Sequence, residues 1–422
     1  ARWRLKRGRG MDGAWAGMHP AHGGWAGLPS ELKVHCLRPL PAEAASAFAS
    51  AGRDARAVAH SEDLWADLFQ RDWRWLCPTG PPREASFRQQ HLWVTQRARH
   101  EHSAFVVLGG AVRRDGAGHA DAAVLSALSV HEGELQWRSF ALPVPGRCAA
   151  GLCHGRGRLF VAGGFDFSAE QSTTSAESID VLSLLRGEPE VQALPRLRRA
   201  RACPGVVATP EAVLAVGGGS SMFTAAEAFA CVEALPHASQ SSEWRPALPL
   251  QRPRCAAGVC STAAGHVFVL SGYAGSDRYE DTVEWADATG CEGLLRGWRP
   301  APALAHARAG CAACFGPEGC VWALGGGRNE SESLASVERL DPRTPFWRAD
   351  VPPMPGRRRC FAGGFGIDGK LYIYGGWDST RWHDPTAARL DLRAMRWEAL
   401  PALYGEVNGI IPYHFVSGCV AF

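Results

Sequence analysis

The 422-residue sequence has very few lysines and no long apolar run. Lys6, Lys33 and Lys370 are its only lysines, so almost all of the 45 basic residues are arginines. They face 42 acidic residues and leave a formal net charge of +3, which does not favour a nucleic-acid or membrane partner. No apolar stretch approaches the roughly 18 residues of a membrane helix, and no basic-then-apolar N-terminal segment indicates secretion. We therefore expect a cytoplasmic or nuclear protein.

Motifs that cradle phosphate or activate a nucleophile are also missing. The 14 cysteines fall well short of the roughly 8–10% that marks a disulfide scaffold. Cys311 and Cys314 form a C-A-A-C motif with Cys320 nearby, but a zinc site needs further ligands at suitable spacing. We interpret these thiols as small packed groups. The sequence predicts no catalytic residue, no metal and no cofactor.

Glycine is abundant, with 48 residues, and it marks an internal repeat. An apolar strand followed by two small residues occurs six times, as FVVLGG, LFVAGG, VLAVGG, VFVLSG, VWALGG and LYIYGG. The small pairs are Gly109-Gly110, Gly163-Gly164, Gly217-Gly218, Ser271-Gly272, Gly325-Gly326 and Gly375-Gly376. Successive pairs are 54 residues apart, except that the last interval is 50. About four short strands fit each unit, and such small sheets bury their faces by stacking radially.

Each unit also carries an arginine and a tryptophan at recurring places. The arginines open a strand of small residues sixteen or seventeen positions before the small pair: Arg147, Arg201, Arg254, Arg308 and Arg359. The tryptophans end the fourth strand: Trp137, Trp244, Trp298, Trp347 and Trp397. The second unit lacks this tryptophan. We predict that the small residues face the narrow axis and that each tryptophan fills the space between adjacent sheets.

This arrangement resembles the kelch repeat, in which a hydrophobic strand, a diglycine and a spaced tryptophan form one propeller blade. The resemblance covers roughly residues 100–422 and implies a mainly β, six-bladed propeller at 103–422. The C-terminal HFVSGCVAF, residues 414–422, resembles the strand RCFAGGF at Arg359 but has no small pair after it. We predict that this segment supplies the inner strand of the first blade and closes the ring.

The N-terminal hundred residues differ in texture. Residues 1–27 are basic and glycine-rich with no period, which predicts disorder. Residues 28–75 open with Leu-Pro-x-Glu-Leu and close with Leu-Trp, which resembles an F-box, a small all-α domain; residues 76–102 resemble a helical linker. The resemblance implies an adaptor-binding surface formed by Leu28, Pro29, Leu32, Leu37, Leu40, Leu64 and Trp65. The alternative is an inert helical cap.

The repeat register predicts where a ligand would bind. The five repeat arginines are equivalent, so they would form a ring at one mouth of the propeller. Together with the loop aromatics Tyr273 and Trp377, these arginines are our predicted substrate-binding residues. The planar guanidinium of arginine binds carboxylate or phosphate in a bidentate manner, which suits an acidic or phosphorylated peptide. The alternative is internal pairing with acids of the loops after the small pairs, such as Asp166, Asp277, Glu330 or Asp378.

Together the two resemblances imply a non-catalytic substrate receptor of a Skp–cullin–F-box ubiquitin ligase. The F-box would dock the Skp-type adaptor and through it the cullin, while the propeller would hold the substrate protein. Such a receptor raises the effective concentration of substrate lysines near the conjugating enzyme. Two alternatives stay open: a kelch scaffold with no role in ubiquitination, and a metal-dependent kelch-like enzyme, whose converging ligands we do not find at matching repeat positions.

Overall fold

A computed structural model describes part of the chain. The described residues are 61, 64–65, 105–113, 122–131, 134–166, 168–186, 189–222, 227–237, 243–262, 264–288, 295–316, 318–329, 331–360, 362–365, 370–376, 384, 386–402, 410–413 and 419–421. The chain divides into two compact units, Ala1–Arg97 and Ala98–Phe422. Leu64 and Trp65, in the first unit, are helical and fully buried. The predicted tail 1–27, the linker 76–102 and most of the F-box-like segment lie outside the described residues.

The second unit is built from short antiparallel strands that form six sheets and one hairpin within its described part. Sheet 1 contains β1 (Phe105–Arg113), β2 (Ala122–His131) and β3 (Glu134–Pro145). Sheet 2 contains β4 (Gly151–Gly155), β5 (Arg158–Ala162), β8 (Ala176–Asp180) and β9 (Val191–Ala193), with the hairpin β6 (Phe165–Asp166) and β7 (Gln171–Ser172) and the helix α1 (Val181–Arg186) between them in sequence. Sheet 3 contains β10 (Gly205–Ala208), β11 (Ala212–Val216), β12 (Val232–Pro236) and β13 (Arg245–Ala247).

The remaining strands complete the second unit. Sheet 4 contains β14 (Gly258–Ser261), β15 (His266–Tyr273), β16 (Tyr279–Asp287) and β17 (Arg299–Ala301). Sheet 5 contains β18 (Ala312–Phe315), β19 (Val321–Leu324) and β20 (Val337–Leu340), and sheet 6 contains β21 (Ala362–Phe365), β22 (Leu371–Tyr374), β23 (Ala387–Asp391) and β24 (Arg396–Leu400). The last strands, β25 (Ile410–Tyr413) and β26 (Cys419–Ala421), both pair with β1. Sheets 2 to 6 are thus each formed by one continuous segment of chain, whereas sheet 1 joins both ends of the unit.

The innermost strands contact one another in a closed cycle. β4 contacts β10, and the sequence continues through β14, β18, β21 and β26 back to β4. Near the start of five of these strands lies one residue in the left-handed region, with φ between 49° and 63°: Ala149, Cys203, Ala256, Gly310 and Cys360. The N–H of each of the last four donates to the carbonyl of the one before it, at 2.7–3.2 Å. These hydrogen bonds link the inner strands around the axis.

In sheets 2 to 6 the small pair of the repeat has two conformational requirements. Its first residue has φ between 52° and 72°, and its second has φ between 93° and 115°. The first value is left-handed and open to serine, as at Ser271, whereas the second strongly favours glycine. The second glycine also donates its N–H to the arginine carbonyl of the next sheet, as Gly164 does to Arg201 and Gly272 does to Arg308, both at 2.8 Å.

The core lies between neighbouring sheets. The five residues of β11 are all buried, because alternate side chains face opposite neighbours. Ala212, Leu214 and Val216 pack with sheet 4, whereas Val213 and Ala215 pack with sheet 2. A strand that is apolar on both faces is therefore the signature of a stacked sheet rather than of a half-exposed one.

The C-terminal strand closes the cycle by pairing rather than by chain continuity. Cys419, Val420 and Ala421 face Val107, Val106 and Phe105 in antiparallel register. Upstream, Tyr413 faces Gly110, so the first small pair lies inside the long strand β1 instead of ending it. The mainly β propeller predicted from the repeat is confirmed; a small all-α domain is not seen in the part of the chain that the structure describes.

Candidate protein-interaction surface

The repeat arginines are buried and paired inside the sheets. Arg201, Arg254 and Arg308 are at most 1% exposed. Each binds a glutamate of the third strand of its own sheet; the pairs are Arg147–Glu177, Arg201–Glu233, Arg254–Glu284 (2.8 Å) and Arg308–Glu338. A second guanidinium nitrogen donates to the carbonyl of the first residue of the small pair, as from Arg254 to Ser271 at 2.8 Å. Arg201, Arg254 and Arg308 thus each tie three strands of one sheet together, whereas Arg147 directs both terminal nitrogens to Glu177.

The glutamates are satisfied from a second direction. Glu233 accepts from the N–H of Arg198 at 2.7 Å, and Glu284 accepts from the N–H of Gln251 at 2.8 Å. Both donors lie three residues before the repeat arginine of their sheet, in the segment that enters the inner strand. A buried ion pair whose remaining oxygens are hydrogen-bonded can offset its desolvation, so these clusters fit a structural role.

The assignment of Arg147, Arg201, Arg254, Arg308 and Arg359 to substrate binding is therefore corrected. All five are buried, so their guanidiniums are not presented to a partner. Internal pairing is the arrangement observed: in sheets 2 to 5 the acids come from the third strands, whereas in sheet 6 the acid is Asp384, in the loop after the small pair. Asp166 instead accepts the N–H groups of Ser168 and Ala169, and Asp277 donates its N–H to the hydroxyl of Tyr273. Glu330 and Asp378 lie outside the described residues.

In sheet 6 the structural arginine is Arg358 rather than Arg359. Arg358 donates to the carbonyl of Gly375 at 2.7 Å and pairs with Asp384 at 3.2 Å. The left-handed residue, Cys360, stands two positions after Arg358, the same spacing as in the other sheets. Arg359 instead donates to Ser333 and to the carbonyl of Asn329 in sheet 5. Because residues 357 to 359 are all arginines, the sequence alone does not decide which of them is the repeat arginine.

Two further predicted contacts change or stay untested. Tyr273 is only 7% exposed and packs edge-on against Tyr279, so it supports the loop rather than presenting its ring. Trp377 lies outside the described residues, as do the adaptor-binding Leu28, Pro29, Leu32, Leu37 and Leu40. Leu64 and Trp65 are completely buried, which corrects their assignment to an exposed adaptor surface.

Other arginines are exposed at the same ends of the sheets. Arg252 precedes the inner strand of sheet 4, and Arg278 follows the small pair of that sheet, so both lie where β14 begins and β15 ends. Their side chains are 54% and 60% exposed, and both contact the buried Glu280, at 3.0 and 3.2 Å. Two guanidiniums thus share one carboxylate at the surface. We call Arg252, Arg278 and Glu280 the arginine clamp.

Similar exposed arginines stand on neighbouring sheets. Arg199, which is 47% exposed, lies over the ring of Phe229 with its guanidinium carbon 3.5 Å from the ring centre. It also pairs with the exposed Glu227 at 3.3 Å. Arg328 follows the small pair of sheet 5 and approaches Glu332 at 4.0 Å. Exposed pairs of this kind are worth little, so an incoming carboxylate can replace the internal one.

The five repeat tryptophans join neighbouring sheets. Their indole N–H groups donate to carbonyls of the preceding sheet in the ring: Trp137 to Pro401, Trp244 to Pro195, Trp298 to Leu248, Trp347 to Pro302 and Trp397 to Pro352, at 2.8–3.1 Å. The bond from Trp137 to Pro401 spans the point where the chain ends meet. The indole thus acts as both a filler and a directional link between sheets.

The buried cysteines behave as packing groups. Burial raises the pKa of the Cys153 and Cys314 thiols well above its usual range and raises the pKa of Cys260 to about 12. Cys311, Cys314 and Cys320 are all buried and free. Among the described residues, no three His, Cys, Asp or Glu side chains are placed to hold a metal ion. Within the same residues, no helix is long and apolar enough to cross a membrane.

Comparison with known proteins agrees with this architecture. The Kelch motif model matches residues 146–183, which span the first arginine–glutamate pair and the small pair of sheet 2. A solved structure described as that of YjhT resembles the chain with a TM-score of 0.55 and 12% sequence identity, over 70% of this chain and 97% of the other. No curated protein matches the sequence, and no F-box is detected. The chain therefore carries a kelch motif in a kelch-type β-propeller.

Proposed function

We propose that this protein is a protein-interaction module whose propeller binds a partner and performs no chemistry itself. The observation that carries the proposal is the division of labour among the arginines. Buried arginines hold the sheets together, while exposed arginines such as those of the clamp stand at one end of them. We propose that sheet 1, which combines strands from both ends of the second unit, is the sixth blade of the propeller. The kelch-type fold, which serves as a protein-interaction scaffold, agrees with this role.

The clamp favours an acidic segment of the partner. Arg252 and Arg278 share a single carboxylate, so one guanidinium has unused donors that a partner carboxylate can engage in a bidentate manner. Both arginine side chains are more than half exposed, so a partner can reach them without a rearrangement of the sheet. This moves the acidic ligand predicted from the sequence from the buried ring to the surface.

The acidic-ligand proposal is tested with a fluorescent glutamate-rich peptide. We expect the double variant Arg252→Glu, Arg278→Glu to weaken binding at least about tenfold, which corresponds to roughly 1.4 kcal/mol. The matched control changes two exposed arginines away from the clamp, Arg299→Glu in β17 and Arg348→Glu beside β20, and should leave the affinity nearly unchanged. Equal loss in both variants would show that only net charge matters, and unchanged binding in the clamp variant would refute the site.

We further propose that the N-terminal segment is an F-box and that the whole chain is a substrate receptor of a Skp–cullin–F-box ubiquitin ligase in the cytoplasm or nucleus. Support comes from the Leu-Pro-x-Glu-Leu opening at Leu28 and from the helical, buried Leu64 and Trp65. The scaffold without a ligase role is the competing function. Both functions use the propeller to bind a partner protein, and only the ligase receptor also binds a Skp-type adaptor.

A pull-down with a Skp-type adaptor separates the two functions. We expect the full chain to retain the adaptor and the triple variant Leu28→Ala, Pro29→Ala, Leu32→Ala to lose it. The clamp variant serves as a control, because it should bind the adaptor normally. No retention by the unmodified chain would leave the scaffold as the function.

A further inference from the structure

Two exposed arginines occupy the same repeat position in neighbouring sheets. Arg199 stands two residues before the repeat arginine of sheet 3, and Arg252 stands two residues before that of sheet 4. Sheets 2, 5 and 6 carry Pro145, His306 and Gly356 at this position. Among the five sheets with a repeat arginine, the position therefore holds a guanidinium only in these two adjacent sheets.

The residue beneath Arg199 is an aromatic ring. Phe229 follows the small pair of sheet 3, and its N–H donates to the carbonyl of Gly218 at 2.8 Å. Its own carbonyl accepts the N–H of Arg254, the repeat arginine of sheet 4, at 3.0 Å. Phe229 is 3% exposed, so its ring belongs to the core, and it holds Arg199 next to the segment that contains Arg252.

The equivalent residue beneath Arg252 is a carboxylate. Glu280 faces Gly272, the second residue of the small pair of sheet 4, and its carbonyl accepts the N–H of Arg308 from sheet 5 at 3.0 Å. Arg252 donates to the Glu280 side chain, also at 3.0 Å. The same relation between two repeat positions thus places one arginine on a ring in sheet 3 and the next arginine on a carboxylate in sheet 4.

The guanidinium of Arg199 has one side against the protein and the other against solvent. Its central carbon lies 3.5 Å from the centre of the Phe229 ring, while 47% of the Arg199 side chain is exposed. Nη2 donates to the two oxygens of Glu227 at 3.3 and 3.4 Å, so this acid contacts the guanidinium at one edge only. The ring beneath and the acid at the edge restrict the guanidinium before any partner arrives.

We propose that Arg199 binds an aromatic side chain of the partner, within the same acidic segment whose carboxylate the arginine clamp engages. Arginine stacks on aromatic faces, and a ring on the outer side of Arg199 does not have to displace Glu227. A further carboxylate at this place would instead be repelled by Glu227. Aromatic side chains are also enriched at protein interfaces. The inference rests on the proposed binding of an acidic segment and defines that segment as one with an aromatic residue among its acids.

The test compares three fluorescent peptides, Gly-Glu-Glu-X-Glu-Glu-Gly, in which X is phenylalanine, cyclohexylalanine or alanine. Cyclohexylalanine is close to phenylalanine in size but has no aromatic face. Fluorescence anisotropy measures binding to three forms of the full-length protein: the unmodified chain, Arg199→Lys and Arg328→Lys. Lysine keeps the positive charge and loses the planar group.

Arg328 is the matched control for Arg199. Its side chain is 49% exposed and approaches the exposed Glu332 at 4.0 Å, much as Arg199 approaches Glu227. Within the described residues, no aromatic ring lies against Arg328. The two lysine variants therefore remove the same charge geometry and differ in the ring beneath it.

We expect the phenylalanine peptide to bind the unmodified chain about two- to fivefold more tightly than the cyclohexylalanine peptide. This preference should disappear in Arg199→Lys and persist in Arg328→Lys. Equal affinities for the two peptides in the unmodified chain would overturn the proposal, and so would a preference that survives in Arg199→Lys.

The clamp variant separates this inference from the proposed function. In Arg252→Glu, Arg278→Glu, all three peptides should bind more weakly by a similar factor. Clamp-dependent binding of the alanine peptide, with no aromatic preference in the unmodified chain, would overturn the aromatic site and leave the acidic-segment function standing. An absence of binding by all three peptides to the unmodified chain would overturn both.

Discussion

At the scale of single residues, whether an arginine of this protein is structural or exposed depends on the acidic residue that it contacts and on where that residue lies. Arg254 and Arg252 are two residues apart, yet one is 1% exposed and the other has a side chain that is 54% exposed. The glutamates recur in AESID, CVEAL, TVEWA and SVERL, about thirty residues after each arginine. That spacing was present in the sequence. It does not by itself indicate pairing, because the sequence does not show that the arginine and the glutamate of one sheet come together.

We expect Arg254→Ala to destabilise the protein by about 3–5 kcal/mol, because Glu284 is left as an uncompensated buried charge. Arg252→Ala should change stability by less than about 1 kcal/mol, since the Arg252 side chain is more than half exposed and Glu280 keeps Arg278 as a partner. Urea unfolding of both variants measures the difference. Equal stability of the two would mean that Arg254 is not a structural residue.

His154, on β4, predicts a pH dependence. Burial lowers the pKa of its imidazole from 6.5 to about 4, so the folded protein keeps it neutral while the unfolded chain takes up a proton first. The corresponding stability is complete above pH 6.5 and is lost as the pH falls from 6.5 towards 4, by at most about 1.4 kcal/mol per pH unit. The variant His154→Ala carries the residue of the equivalent position, Ala208. Its urea midpoint should fall less between pH 7 and pH 5; an identical fall would exclude His154 as the cause.

At the scale of a strand and its turn, the small pair shows how far a repeat can be interpreted from sequence. Six copies were enough to predict the strand, the turn and the stacking, because hydrophobic pattern and spacing repeat together. They were not enough to explain the serine at Ser271. The structure does so, because φ is 55° at this first position and 115° at Gly272.

We expect Gly272→Ala to cost about 1–3 kcal/mol, since a methyl group there meets the strained φ and lies 3.1 Å from the Arg254 side chain and the Cys255 carbonyl. Ser271→Gly should be close to neutral, because glycine occupies this position in the other sheets and suits its left-handed φ. Thermal melting of the two single variants compares neighbouring residues of one turn. A larger loss in Ser271→Gly would reverse the roles assigned to the two positions.

At the scale of the whole molecule, the cycle of inner strands is closed by a short strand of three residues, Cys419–Ala421. The resemblance of residues 414–422 to an inner strand predicted a closing strand there, and Cys419–Ala421 pair with β1. Sequence could not give the partner register, since HFVSGCVAF aligns with several inner strands. It also could not show that β1 runs past its small pair to meet Ile410–Tyr413.

Removing residues 419–422 should destroy the cooperative transition, because β26 links β21 to β4 as well as pairing with β1. We expect aggregation or a strongly lowered melting temperature, followed by size-exclusion chromatography and circular dichroism. Removing residues 1–10 is the control and should leave the transition of the propeller in place. An unchanged melting curve for the C-terminal deletion would show that the cycle is held by other contacts.

The hydrogen bonds between Ala149, Cys203, Ala256, Gly310 and Cys360 have a consequence for how this fold tolerates rearrangement. Each bond runs from a backbone N–H to a backbone carbonyl at the same position of the repeat, so the four junctions from sheet 2 to sheet 6 are held by the same hydrogen bond. The two ends of the propeller chain meet in sheet 1, and the hydrogen bonds between the other inner strands do not depend on that position. A circularly permuted gene that joins the two ends and begins in the segment before Arg254 would encode the same circle, with the seam moved to sheet 4.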